Sequence, residues 1–259
     1  MAFQIGCAQF SPVKADVDRN LDTIASILVQ AAAEGIDLLV LPETCTTGYF
    51  LEGGVLEGSL TLEDLAHQLS RRVPALSRDV DIALGFYERR DGHVYNSAAY
   101  LEAGSSGVSP RLSYQKFFLP TYGLFDEERF VARGRELAVF PSRLGTVALL
   151  ICEDVWHSIL PTLCAARGAQ ILLVPSASPA RGFTPDGIGN HQRYRRLLTA
   201  ISEEHGVFCA NAQLCGFEGG KGFIGGSMVT DPFGRFLAEA PLAEPALIRA
   251  EVDLELAGI

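Results

Sequence analysis

Three short segments each end an expected strand with a reactive group: Glu43 in Leu41-Pro-Glu43, Lys116 in Ser113-Tyr-Gln-Lys116, and Cys152 in Leu150-Ile-Cys152-Glu-Asp. The thiolate is the reactive form of a cysteine, so a thiol that attacks an unreactive carbonyl needs a base to take its proton. A carboxylate such as Glu43 suits that task when burial raises its proton affinity. The oxyanion that then develops needs positive charge or N–H donors, which Lys116 and the backbone N–H of Glu153 would supply; losing one such donor lowers turnover about a hundredfold to a thousandfold. Taken singly, each residue has a plainer reading. Cys152 follows Val147-Ala-Leu-Leu-Ile151, where a cysteine is usually inert core. Glu43 suits a loop or helix start after Pro42, and Lys116 a solvated strand end. In open α/β folds, however, sites gather where strand ends open into loops, and three reactive groups at three such ends point to one pocket.

The elements that must position these groups alternate along the chain. Strands are expected over 3–9, 37–41, 82–88, 94–101, 111–115, 137–140, 146–151, 170–174, 207–212, 225–230, 235–238 and 247–252, from short apolar runs bounded by Gly and Pro. Helices are expected over 18–34, 61–72, 155–167 and 190–205, the first from Leu21, Ile24, Leu28 and Ala31 at helical spacing with Gly35 as a stop. The run Asp37-Leu-Leu-Val-Leu41 is apolar on both faces and belongs inside a sheet. Ala33-Glu-Gly-Ile-Asp-Leu-Leu-Val-Leu-Pro42 is echoed by Ala166-Arg-Gly-Ala-Gln-Ile-Leu-Leu-Val-Pro175, which suggests two similar αβ halves. The fold class is α/β, with stacked sheets between helical layers.

The chain has 259 residues, is 48% hydrophobic and carries a net charge of −10. No linker or low-complexity stretch divides it, so it reads as a single domain over residues 1–259. Its acidity argues against nucleic acid or an anionic membrane as partner. No apolar stretch approaches the roughly 18 residues of a membrane span, and the N-terminus lacks a secretory pattern, so the expected setting is cytoplasmic. The six cysteines form no CxxC pair and are expected to be reduced thiols, and the five histidines lack HxxxH spacing; no metal and no cofactor is expected.

Together the segments LLVLPETCTTGY, YQKFFLPTYGLFDEERFVARG and LLICEDVWH resemble the nitrilase superfamily of carbon–nitrogen hydrolases, whose signature is Glu, then Lys, then Cys. FQIGCAQFSPVKADVDRN and GFIGGSMVTDPFGRFLAEA resemble that family's opening and closing segments, so the likeness covers essentially the whole chain. The resemblance implies a four-layer α-β-β-α sandwich. It implies Cys152 as the nucleophile that forms a thioester, Glu43 as general base and then acid, and Lys116 as stabiliser of the tetrahedral intermediate. A second family glutamate falls in FDEE, at Glu127 or Glu128; spacing from Lys116 favours Glu127.

YGLFDEERF and ICEDVW are most similar to the glutamine-hydrolysing portion of glutamine-dependent NAD synthetases. By that likeness Tyr49, Tyr122, Phe125 and Glu153 line the acyl pocket, Glu153 meets a substrate amino group, Ser178 lies near the polar end, and Arg181 pairs with a carboxylate. Arg193, Arg195 and Arg196 read as a solvated helix face that pairs with Glu203, Glu204 or another subunit. His157 lies near Cys152 in sequence, but a helix from Val155 would turn it away. The chain ends soon after its last expected strand and no ATP-pyrophosphatase loop is found. A free-standing ω-amidase or small-amide hydrolase is therefore expected, and the resemblance implies a homodimer or larger homo-oligomer. N-carbamoyl amide hydrolysis, nitrile hydrolysis and a non-catalytic or ammonia-supplying subunit of a larger complex are the alternatives.

Overall fold

A computed structural model describes residues 2–51, 54–123, 125–185 and 187–258. Glu52, Gly53, Leu124, Asp186 and the two terminal residues lie outside the described residues. The first half runs β1 (Ala2–Gln9), α1 (Val17–Ala33), β2 (Leu38–Val40), α2 (Leu62–Arg72), β3 (Val80–Arg90), β4 (His93–Gly104) and β5 (Gly107–Gln115). The second half begins with β6 (Ala138–Ser142), β7 (Gly145–Leu149), α3 (Ile159–Ala166) and β8 (Ile171–Ser176). A two-stranded ribbon, β9 (Phe183–Thr184) and β10 (Gly187–Ile188), leads into α4 (Gly189–His205) and β11 (Phe208–Gln213). The chain continues through the hairpin β12 (Cys215–Glu218) and β13 (Lys221–Ile224), β14 (Met228–Thr230) and β15 (Phe236–Glu239), and closes with β16 (Ala246–Asp253).

Two six-stranded sheets result, in the orders β16-β1-β2-β3-β4-β5 and β15-β14-β11-β8-β7-β6. The sequence echo has a topological counterpart. β2 is paired in parallel with β1 and β3, as β8 is with β7 and β11. Beyond these, both sheets continue antiparallel, with β16 taking beside β1 the place that β6 takes beside β7.

Burial explains the layering. Along β2, Leu38 and Val40 join the core between the sheets, while Leu39 and Leu41 pack under α1 and α2 with Leu21, Ile24, Leu28, Leu65 and Leu69. A strand with both faces covered has no place for a polar side chain, and each leucine so buried is worth about 1.5–3 kcal/mol. The outer face of the second sheet lies under Leu160 and Cys164 of α3 and Leu198 and Ile201 of α4. The architecture is thus a four-layer α-β-β-α sandwich. Asp16 and Thr61 cap α1 and α2 through bonds to the N–H groups of Arg19 and Asp64, satisfying donors that a helix start leaves open.

Three expectations are corrected. The helix expected over 155–167 is a 3-10 turn, Cys152–Trp156, followed by α3 from Ile159; Pro161 fits only the first turn of a helix, where an N–H is dispensable, and so fixes where α3 begins. The strand expected from Gly225 starts at Met228, because Gly225 and Gly226 take φ of +63° and +68°. The hairpin β12–β13 and the ribbon β9–β10 were not expected at all.

Candidate active site

Glu43 is placed by the end of β2. The chain turns after Pro42 with Thr44 at φ +48°, and the turn is sewn to β3 by Gly85 N–H to Pro42 O (3.0 Å) and Cys45 N–H to Gly85 O (3.0 Å). A Cβ at Gly85 would run into Glu43 Cα and Thr44 N, so this close approach requires glycine. Lys116 directly follows the edge strand β5, its N–H bonded to Asn96 O at 2.8 Å. Gly134 holds the outgoing loop against it, donating to Lys116 O at 2.9 Å.

The Lys116 ammonium is fully buried and bridges two carboxylates, with Nζ 2.7 Å from Glu43 Oε1 and 2.7 Å from Glu127 Oε1. Glu43 Oε1 also accepts from Asn96 Nδ2 at 2.8 Å, and its Oε2 accepts from the backbone N–H of Ala177, just past β8, at 2.8 Å. Glu127 Oε1 accepts from the Tyr49 hydroxyl, while Oε2 is buried and has no hydrogen-bond partner among the described residues. Glu128, the alternative, is half-exposed and paired with Arg133. Burial and the charge of Glu43 raise the proton affinity of Glu127, against the pull of Lys116. Lys116 itself is held protonated well beyond the usual range: burial opposes this, but Glu127 and Glu43 outweigh it.

Cys152 starts the 3-10 turn at φ +46°, a strained conformation for a residue other than glycine. The residue as a whole is partly exposed, and Sγ lies 3.2 Å from the Tyr194 hydroxyl of α4. Burial and the charge of Glu43 push the thiol upward, while Lys116, Tyr194 and the Ala177 N–H act the other way. The resting sulfur is therefore a thiol that needs a base, as the sequence argument required. Asp154, fully buried, ties the cysteine turn to the lysine segment: it accepts from Ile151 N (2.9 Å), Phe118 N (2.9 Å) and Tyr114 OH (2.8 Å). Burial pushes its carboxyl up to about 6.

A pocket of ≈ 420 Å³ opens over Cys152. Of the residues expected to bind substrate, Tyr122, Phe125, Glu153, Ser178 and Arg181 line it. The Tyr122 hydroxyl donates to Glu153 at 2.9 and 3.0 Å, and the Arg181 guanidinium lies 4.5 Å from the Phe125 ring centroid. Tyr49 does not line this pocket. It lies behind Glu127 in an aromatic cluster with Phe50, Phe125 and Phe223, beside a separate ≈ 490 Å³ cavity. A larger groove of ≈ 680 Å³ along β3, β5 and β6 contains none of Glu43, Lys116 and Cys152.

Arg193 and Arg196 of α4 are exposed, as the solvated-face reading expects, but the expected pairing with Glu203 and Glu204 is not found among the described residues. Arg193 stacks on Trp156, 4.0 Å from the ring centroid, and lines the pocket, while Arg195 stacks on Phe236 and pairs with Glu239. His157 lines the pocket too, its ring stacked on Phe118 at 3.8 Å and Nε2 3.6 Å from Glu153 Oε1. Sequence reasoning missed Asn96, Tyr194 and the Ala177 N–H. The first two are ordinary polar residues inside regular elements, and a backbone donor leaves no mark in the sequence.

The model of the family described as "Carbon-nitrogen hydrolase" matches residues 4–258. The chain belongs to the carbon–nitrogen hydrolase family. The glutamine-dependent NAD(+) synthetase of Thermotoga maritima is 30% identical over 253 residues, covering 97% of this chain and 42% of that protein. The structure of glutamine-dependent NAD+ synthetase from Acinetobacter baumannii superposes with a TM-score of 0.85 at 26% identity, covering 98% of this chain and 46% of the other. A Nesterenkonia AN1 amidase of the nitrilase superfamily, solved as a cysteine-to-alanine mutant, gives 0.78 at 27% identity, covering 96% and 90%. The chain thus spans less than half the length of the NAD synthetases it matches. No helix among the described residues is long and apolar enough to cross a membrane.

Proposed function

We propose that this carbon–nitrogen hydrolase cleaves the ω-amide of a small amino acid, glutamine or a close analogue, through a thioester on Cys152. The observation that carries the reading is the buried Glu43–Lys116–Glu127 cluster, which acts electrostatically on the thiol of a partly exposed residue at the floor of a pocket. In the proposed cycle Glu43 takes the Sγ proton and sulfur attacks the amide carbon. Lys116 and the N–H of Glu153 hold the oxyanion. The C–N bond breaks as Glu43 returns the proton to departing ammonia. Water then gives a proton to Glu43 and attacks the thioester; the C–S bond breaks, and the acid and the thiol are regenerated. Glu127 keeps Lys116 in place and supports proton movement. Another structure of the Nesterenkonia amidase bears acrylamide added at the active site cysteine, which supports a sulfur nucleophile here.

The pocket walls support a zwitterionic substrate. Glu153 and Tyr122 offer acceptors for an ammonium, while Arg181 and Arg193 form no ion pair with any carboxylate among the described residues and suit a carboxylate. Ser178 and Asn190 sit between them, joined at 3.3 Å. The relatives whose name is glutamine-dependent NAD(+) synthetase support the same class. The reading takes residues 1–259 as one hydrolase domain in the cytoplasm with no cofactor. It adds a homo-oligomer packed through outer helices, which the exposed Ile159 and Leu163 of α3 support. Ammonia release is to be screened over glutamine, asparagine, keto-acid ω-amides, carbamoyl amino acids and simple nitriles, with Cys152→Ala as control. Turnover of glutamine-like amides that Cys152→Ala abolishes is expected. Preferential turnover of carbamoyl compounds or nitriles, or substantial activity left in Cys152→Ala, would overturn the assignment.

A further inference from the structure

We propose that Tyr194 is a catalytic residue: its hydroxyl donates a hydrogen bond to Cys152 Sγ, stabilising the sulfur whenever it carries negative charge, and above all as it leaves the thioester. The proposal rests on Cys152 being the nucleophile of the reading above. The geometry is direct, with the phenol oxygen 3.2 Å from Sγ and the Tyr194 side chain fully buried within α4.

The direction of the bond follows from what lies behind it. Asn211 Nδ2 contacts Val174 O at 2.8 Å, and because a carbonyl only accepts, that atom must be the amide nitrogen. The same Nδ2 then donates to Ser176 Oγ at 2.8 Å. Asn211 Oδ1 is in turn held by Gln213 Nε2 at 2.8 Å. The Ser176 oxygen accepts from Asn211, its own donation to Val174 O is long at 3.5 Å, and its hydroxyl favours negative charge on the Tyr194 oxygen. The row is polarised from the buried end of β11 toward the thiol, which leaves the Tyr194 proton for sulfur. A phenol this deeply buried keeps that proton, so it donates without ever competing as the base.

The chemistry places the benefit at defined steps. When Glu43 removes the thiol proton, the sulfur that becomes charged already has a donor in the Tyr194 hydroxyl. In deacylation the C–S bond breaks and its electron pair stays on sulfur, so the donor lowers that barrier as well. A hydrogen bond to a charged group is worth about 1.5–3 kcal/mol, equivalent to about one to two pH units.

The test is Tyr194→Phe, which keeps the ring and removes only the donor. Alkylation of Cys152 by iodoacetamide is followed by mass spectrometry against pH, and thermal melting checks that the fold is retained. The thiol also responds to Glu43 and Lys116, and the pocket carries Tyr122, Glu153, His157, Arg181 and Arg193; none of these is altered in the variant, so a displaced profile reports on Tyr194. The expected result is a profile displaced upward by about one to two pH units. With an amide substrate, kcat should fall about ten- to a hundredfold, KM should fall with it, and acyl-enzyme should accumulate in the intact mass. A profile superimposed on that of the unaltered protein, with the fold intact, overturns the proposal. Because alkylation needs no substrate, it tests Tyr194 even if every amide in the screen proves inert.

Discussion

Replacing Lys116 by Met tests the electrostatic core of the site apart from catalysis. The ammonium is the shared partner of Glu43 and Glu127, and the exposures of the three side chains are 0%, 0% and 7%. Met fills similar volume, so packing is largely kept and charge is what changes. Two buried carboxylates then face each other without a cation, and removing one partner of a buried ion pair costs about 3–5 kcal/mol. In a chain of this size that corresponds to a fall in Tm of roughly 6–20 °C. The loss should depend on pH with a definite sign. Burial and the neighbouring charge of Glu43 hold the Glu127 carboxyl above the unfolded value of about 4.3, so the folded state binds a proton that the unfolded state does not. Stability from such groups is present at low pH and is lost as pH rises through the folded value, by up to about 1.4 kcal/mol per pH unit for each proton held. In the unaltered protein Glu127 makes a smaller contribution of the same sign, since Lys116 pulls its raised carboxyl back. Urea unfolding at pH 5 and pH 8 should therefore show the Lys116→Met deficit largest at pH 8, and Glu127→Gln added to it should recover part of the loss. A deficit below about 1 kcal/mol that is equal at both pH values would refute the reasoning.

Two further substitutions separate positioning from recognition. Gly85→Ala drives a Cβ into the backbone at Glu43 and Thr44, which cannot swing aside; overpacking of about 1–3 kcal/mol is expected in thermal melts, with ammonia release falling further than stability alone explains. Unchanged activity would show that the Glu43 turn is free to move. Arg193→Ala should raise KM for a zwitterionic ω-amide about ten- to a hundredfold, as loss of a charge-assisted bond implies, and leave a neutral amide such as propionamide unaffected. Equal losses on both substrates would assign Arg193 to packing on Trp156 instead.

What the sequence reveals is what local chemistry encodes. Runs such as Leu38–Val40 and Ile171–Ser176 announce central strands because no charged side chain interrupts them, and Glu43, Lys116 and Cys152 stand out because each puts a reactive group at the end of an expected strand. Interactions that depend on distant pairing are hidden. Asn96 reads as a strand residue until β4 is laid beside β3 and its amide meets Glu43. Tyr194 lies within an arginine-rich helix whose exposed charges dominate its pattern, although the tyrosine points to the core. Tyr49 is assigned to the pocket by family resemblance, yet its hydroxyl turns to Glu127. The β12–β13 hairpin escaped notice because Gly219-Gly220 and the exposed Phe217 look like loop, while the residue that anchors it, Glu218, does so by accepting from the Tyr49 N–H at 2.9 Å.

The repeated topology explains why the reactive groups meet where they do. Aligning the two echoed segments sets Pro42 against Pro175, and so Glu43 against Ser176 and Thr44 against Ala177. Both members of the first pair act on the same sulfur: Glu43 through its charge, and Ser176 through the Tyr194 hydroxyl. Ala177, from the second half, donates its N–H to Glu43 Oε2 of the first, so the two central strand ends are hydrogen-bonded to each other across the sandwich. The register makes the division of labour explicit. Cys7 lies opposite Val40 in the first sheet and Leu149 opposite Leu173 in the second, and three residues on come Phe10 and Cys152. The first half thus supplies a carboxylate and no thiol at these positions, the second a thiol and no carboxylate. Neither half holds both members of the reacting pair, so the chemistry depends on the packing of one sheet on the other. A perturbation that loosens the inter-sheet core, far from the pocket, should therefore separate base from nucleophile before it unfolds either half.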